Sequence, residues 1–171
     1  LDLDVMLDAI SKYKPKLIFI AYPNNPTGNA FDRKAIEKII QSTDALVVLD
    51  EAYYAYAGDS FIGDIAKYEN LVVLRTVSKI GFAGLRLGLL IGSQETVTQL
   101  DKLRLPYNIN TLTQVSANFL LKEKAEIDKN AAIIIEQRQV LLDELSSVSS
   151  LSVYPSQANF ILFKAPNAQA L

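Results

Sequence analysis

Four short runs of the chain are apolar at every position instead of at alternate ones: Leu17 to Ala21, Ala45 to Leu49, Leu71 to Leu74, and Leu87 to Ile91. Continuous runs of this length read as strands covered on both faces. Between the first two, Ala35, Ile36, Ile39 and Ile40 recur at helical spacing behind Asp32, which predicts a helix over 32–41 with Asp32 as its N-cap. Residues 5–12 read as a helix end stopped at Lys14-Pro15. Strands separated by helices predict a parallel α/β sheet, and ligands of such sheets bind beyond the carboxyl ends of the strands.

The second half has a different texture. Residues 94–104 read as helix, ending before "PYNIN". From Thr113 to about Ser146 the residues are helix formers without Gly or Pro, interrupted at most near Lys122-Glu123-Lys124. Ser152 to Tyr154 and Asn159 to Phe163 read as two strands around a Pro155-Ser156-Gln157 turn. The segment 151–163 is expected to sit apart from the sheet. The closing "PNAQAL" reads as the start of another helix, so the chain is expected to be a piece of a longer protein. No repeat or low-complexity segment interrupts the pattern.

Composition narrows the chemistry more than it narrows the fold. A length of 171 residues suffices for a sizeable core. A net charge of −2 gives no reason to expect nucleic acid or an anionic membrane as partner. No apolar stretch reaches the ~20 residues of a membrane span. The absence of cysteine excludes disulfides and thiolate metal sites and fits a cytoplasmic protein. Histidine is absent too, so neither a Ser-His-Asp triad nor the usual zinc sites can form. Chemistry must then run on Lys, Asp, Glu, Tyr, Ser or a cofactor, and no metal is expected.

The polar residues following the first three runs should converge on one edge of the sheet. Lys79 lies in "TVSKIGFAGLRLG" (76–88), among small and apolar residues ill suited to a solvated loop. Desolvation together with Arg86 should lower its pKa and supply the amine nucleophile that Schiff-base chemistry requires. Asp50 ends an apolar run, where its plainer role is to cap the next helix; buried there, it needs a cation, and a protonated pyridine nitrogen would serve. Tyr53 lies on the same side if a turn follows, although packing in a cluster with Tyr54 and Tyr56 would also account for it. In "NNPTG" (24–28) the plain reading is a turn, and the functional one an Asn25 amide held beside Pro26 to face a phenolate oxygen. Thr76, Ser78 and Arg86 could hold a phosphate, Arg86 through a charge-assisted contact. Each element alone is weak. In this order after three strands, they describe a pocket for pyridoxal 5'-phosphate.

The stretches "YPNNPTG", "VVLDEAY" and "RTVSKIGFAGLRLG" resemble the cofactor motifs of fold-type I aminotransferases of class I and II. "SKIGFAGLRLG" followed by "RLPYNINTLTQ" resembles in particular the histidinol-phosphate aminotransferases. The resemblance implies an α/β fold: a mainly parallel sheet with helices on both faces, plus the start of a small α+β domain. Residues 1–112 would belong to the large, cofactor-binding domain, 113–146 to a long connecting helical segment, and 147–171 to the small domain. Lys79 would bond the cofactor covalently and Asp50 would pair with its ring nitrogen. Asn25 and Tyr53 would bond the phenolate oxygen; Ser78 and Arg86 would bind the phosphate, with Thr76 a weaker candidate. The spacing of seven from Lys79 to Arg86 departs by one residue from aspartate-aminotransferase-like members and is familiar among the histidinol-phosphate enzymes. The implied activity is amino transfer between histidinol phosphate and 2-oxoglutarate in histidine biosynthesis, by a homodimer. The chain by itself is expected to be inactive. Rival readings are a phosphothreonine decarboxylase-like enzyme, another class I/II aminotransferase, and the aminotransferase-like effector domain of a transcriptional regulator. A nucleotide-binding module ranks last, because "GFAGLRLG" has the wrong spacing for G-x-G-x-x-G.

Overall fold

A computed structural model describes residues 1–168. Helix α1 (Leu3–Tyr13) starts where the Asp2 carboxylate accepts the Val5 amide (3.1 Å) and stops at Lys14, which turns left-handed. Strand β1 (Leu17–Ala21) follows. Helix α2 (Arg33–Gln41) is capped by Asp32 as the sequence predicts, and buries Ile36, Ile39 and Ile40. Then come β2 (Leu46–Asp50), a short α3 (Tyr54–Ala57), β3 (Leu71–Thr76) and β4 (Gly88–Gly92).

These four strands form one sheet in the order β1-β2-β3-β4, with β1, β2 and β3 parallel and β4 antiparallel to β3. Three strand limits lie past the apolar runs because pairing, not hydrophobicity, ends a strand. Asp50 still pairs with Ala21, Thr76 pairs with Gly88, and Gly92 pairs with Val72. Side chains alternate between faces along each strand. Ile18, Ile20, Val47, Leu49, Leu71 and Val73 therefore point to one face, where they pack with Ile10 of α1, the α2 isoleucines and Phe61. On the other face Val48 and Val72 are buried, while Leu17 and Phe19 are exposed. Cover on that second face is partial among the described residues.

Beyond the sheet lie α4 (Gln94–Asp101), α5 (Thr111–Leu120) and α6 (Lys124–Ser146). A single 3-10 turn at Leu121–Glu123 separates α5 from α6, where the sequence allowed an interruption. The last strands are shorter than predicted. β5 (Ser152–Val153) pairs with β6 (Phe163–Lys164), and Asn159 to Leu162 are not strand. The polar groups of 156–160 are committed elsewhere: the Ser156 hydroxyl donates to the Phe160 carbonyl (2.6 Å), and the Gln157 amide donates to the Gly28 carbonyl (2.7 Å). This segment therefore docks on the rim of the large sheet instead of sitting apart. Of the helix expected at 166–171, residues 169–171 lie outside the described residues.

Candidate active site

Ala21, Asp50 and Leu74 stand in one row of the sheet, so the loops after β1, β2 and β3 leave from the same edge. The first loop closes on itself. The Gly28 amide donates to the Asn24 carbonyl (2.8 Å), the Asn24 amide to the Asn29 carbonyl (2.9 Å), and the Asn24 side chain to the Thr27 hydroxyl (2.7 Å). Asn25 is thereby presented outward, and its side-chain amide donates to the Tyr53 hydroxyl at 3.0 Å. Tyr53 is buried; a turn closed by Tyr54 N–H to Glu51 C=O (3.0 Å) carries it back over the strand ends. Its ring meets Phe160 edge-on, with centroids 5.1 Å apart.

The third loop begins with a brace. The Thr76 hydroxyl accepts the Ser78 amide (3.0 Å) and donates to the Leu87 carbonyl (3.2 Å). A 3-10 turn over Ser78–Ile80 then presents Lys79, whose Nζ lies 5.5 Å from the centroid of the Tyr53 ring. The Tyr56 hydroxyl donates to the Lys79 carbonyl (2.6 Å) and fixes the turn from behind. Asn25, Tyr53 and Lys79 are thus brought together. By register and alternation, Asp50 and Thr76 share one face of the sheet beside them. Arg86 adopts left-handed backbone (φ 50°) and donates to the Ala83 carbonyl of its own turn (3.4 Å), with no contact to the others among the described residues.

Two expectations need correction. The Lys79 side chain is exposed, so the desolvation predicted from its apolar neighbours is not realised. Asp50 is exposed as well; its carboxylate accepts the Ala52 amide (3.0 Å) in a local turn, and it does not cap α3, whose N-cap is Tyr53. The buried carboxylate is its neighbour Glu51, fully shielded, because strand alternation turns position 51 toward the core face. Glu51 accepts the Phe61 amide (2.6 Å), the Ser60 hydroxyl (2.8 Å) and the Arg75 guanidinium (3.0 Å), while Arg75 stacks 3.6 Å over the Tyr54 ring. The sequence carried a signal for this pair: Arg75 directly follows the apolar run Leu71 to Leu74, in the same alternation class as Val73.

A second network went unread. The Tyr22 hydroxyl donates to Asp59 (2.8 Å), and Arg33 bridges Asp59 to Asp64 while stacking 4.1 Å over Phe61. Burial, then the hydrogen bond to Asp59, raises the Tyr22 phenol above its ordinary value. Partial burial pushes the Asp59 carboxyl up, but hydrogen bonds from Arg33 and Tyr22 outweigh it and leave the group below its ordinary range. The network ties the β1–α2 loop to the 58–61 loop.

Gly28 couples the site to the docked segment. Its φ of +79° is left-handed, and a Cβ there would fall 2.8 Å from the Ser156 hydroxyl. Gly28→Ala is expected to destabilise the full-length protein by about 1–3 kcal/mol through backbone strain and overpacking. Thermal unfolding measures this, and faster hydrogen exchange of the Gln157 amide should accompany it.

Chemically, the edge offers an outward carboxylate without an internal cation among the described residues, an amide beside a phenol, a primary amine, and a hydroxyl and guanidinium for an anion. Such a donor set suits a phosphorylated aromatic aldehyde with a basic ring nitrogen.

The family described as aminotransferase class I and II matches residues 1–171. The chain is 71% identical, over all 171 residues, to a histidinol-phosphate aminotransferase of Vesicomyosocius okutanii, and covers 48% of that protein. It is 49% identical over 170 residues to histidinol-phosphate aminotransferase 2 of Nitrosococcus oceani, covering 47% of it. The chain thus spans about half the length of the curated relatives it matches. Among solved structures, histidinol-phosphate aminotransferase from Sinorhizobium meliloti in complex with pyridoxal-5'-phosphate superposes with a TM-score of 0.86 at 26% identity, over 96% of this chain and 46% of that one.

Proposed function

Because this chain belongs to the class I and II aminotransferase family, we propose that the whole protein transfers an amino group between histidinol phosphate and 2-oxoglutarate, with pyridoxal 5'-phosphate as its cofactor. The observation that carries this reading is the meeting of Asn25, Tyr53 and Lys79, with Nζ 5.5 Å from the Tyr53 ring, beside an Asp50 that has no internal cation among the described residues. When bound, the cofactor supplies an electron sink for the carbanion left when the substrate α-proton departs.

This chain's residues do the rest. The Lys79 amine would hold the cofactor, and it is placed to act as general base and general acid for the proton of the substrate α-carbon. The Asp50 carboxylate would accept the ring N–H and keep that nitrogen protonated. The Asn25 amide and the Tyr53 hydroxyl would donate to the ring oxygen. Ser78 and Arg86 take the phosphate, and Thr76, whose hydroxyl hydrogen is engaged by Leu87, chiefly holds the Ser78 amide in place.

Residues 1–112 form part of the large domain in this reading, with 113–146 as the connection to the small one. A homodimer accounts for the exposed apolar side chains of the α4–α5 loop and α5, where Leu103, Leu105, Tyr107, Leu112 and Phe119 all face solvent. No helix among the described residues is long and apolar enough to cross a membrane, and we place the protein in the cytoplasm.

The test is amino transfer by the full-length protein. Histidinol phosphate should exceed other amino donors in kcat/KM with 2-oxoglutarate as acceptor. Preference for another donor, or decarboxylation of phosphothreonine without amino transfer, contradicts the substrate assignment.

A further inference from the structure

Asp50 and Glu51 are successive carboxylates with opposite fates, one outward at the candidate site and one fully buried behind it. Their α-carbons are necessarily about 3.8 Å apart. A buried ion pair adds little to stability compared with apolar residues of the same shape, so Glu51 and Arg75 call for another explanation. Both Glu51 oxygens are satisfied, and the Arg75 guanidinium also reaches the Ser60 hydroxyl (2.8 Å). The pair is tied to β2, β3, α3 through the Tyr54 ring, and the 58–61 loop. Glu51 is fully buried, the Arg75 side chain is 17% exposed, and the pair begins one residue from Asp50.

We infer that Glu51 and Arg75 are a charge-balanced positioning pair that keeps the electrostatic field behind Asp50 near neutral, so that neither buried charge displaces the proton affinity of a cofactor held against Asp50. The inference rests on the function proposed above. A fixed carboxylate behind Asp50 favours protons at the site, and a fixed guanidinium opposes them. Together they nearly cancel. Other groups packed near the pair are Tyr54 under Arg75, Tyr22, and Asp59 with Arg33 from the 58–61 loop and α2; Tyr53 and Lys79 face the site itself.

The test is the pH midpoint of the bound cofactor's visible absorbance band in full-length holoenzyme, with apoprotein thermal unfolding as a control. E51Q leaves the guanidinium unbalanced and should lower the midpoint by about 0.5–1 pH unit, the scale of one fixed charge acting on a partly screened site. R75M should raise it by a similar amount, and E51Q/R75M should return it to the wild-type value. A structural role alone would lower thermal stability without opposite shifts. Unshifted midpoints, or shifts of the same sign in both single variants, overturn the inference. If neither single variant accumulates folded, the double variant decides. Recovery of the fold with a wild-type midpoint supports charge balance, whereas a double variant as defective as the singles shows packing alone and overturns it. A wild-type holoenzyme without any cofactor band would overturn the proposed function along with the inference, whereas a normal band with unresponsive variants overturns only the inference.

Discussion

Lys79→Ala is expected to remove amino transfer from the full-length protein while leaving it able to bind pyridoxal 5'-phosphate noncovalently. The expectation follows from where Lys79 sits. The 3-10 turn that carries it is fixed through its carbonyl by Tyr56, and its Nζ approaches the Tyr53 ring. No other lysine lies between the phosphate-binding candidates Ser78 and Arg86. A positioned general acid/base contributes roughly 10²–10⁴-fold to turnover, and loss of the covalent anchor adds to that. Steady-state amino transfer and cofactor binding, measured on the same preparation, check both halves. Retention of more than about a tenth of wild-type turnover would place the reactive amine elsewhere.

Asp50→Ala and Arg86→Ala should fail in different ways. The Asp50 side chain is exposed at the strand end and, among the described residues, is engaged only by the Ala52 amide, so its removal barely disturbs the fold. Its loss takes away the partner of the ring nitrogen, and turnover should fall roughly 10²–10³-fold, the scale of one preorganised electrostatic partner, with a much smaller change in cofactor Kd. Arg86→Ala instead removes a charge-assisted phosphate contact of about 1.5–3 kcal/mol, which corresponds to roughly 10- to 150-fold weaker cofactor binding. Turnover at saturating cofactor should change less. Equilibrium dialysis and saturated kinetics separate the two. If both variants lose affinity and turnover in the same proportion, the division of roles is wrong.

Most of the sheet was legible because continuous apolar runs have few alternatives in a chain of this composition. Asp32 with the α2 isoleucines was equally plain, since a capping carboxylate and a 3.6-residue period agree there. What the sequence hid depends on register. "LDEAY" shows two acids ending a strand, and only the pairing of Asp50 with Ala21 and Leu74 decides that Glu51 turns inward and Asp50 outward. The docking of 156–160 was hidden for a related reason. Asn159 to Phe163 has strand composition, but its neighbours' hydrogen bonds go to a local turn and to Gly28, and the second contact, about 130 residues away in sequence, is one no local pattern encodes. Tyr22, Asp59 and Arg33 likewise come from three separate segments and meet only in the fold.

The most direct measurement is borohydride reduction of the full-length holoenzyme followed by peptide mapping, which fixes the cofactor to whichever amine holds it. A single modified residue at Lys79 is the result expected from the meeting of Asn25, Tyr53 and Lys79. Modification at Lys67, which is paired with Asp64 (2.6 Å), or at Lys102 at the end of α4, would contradict it.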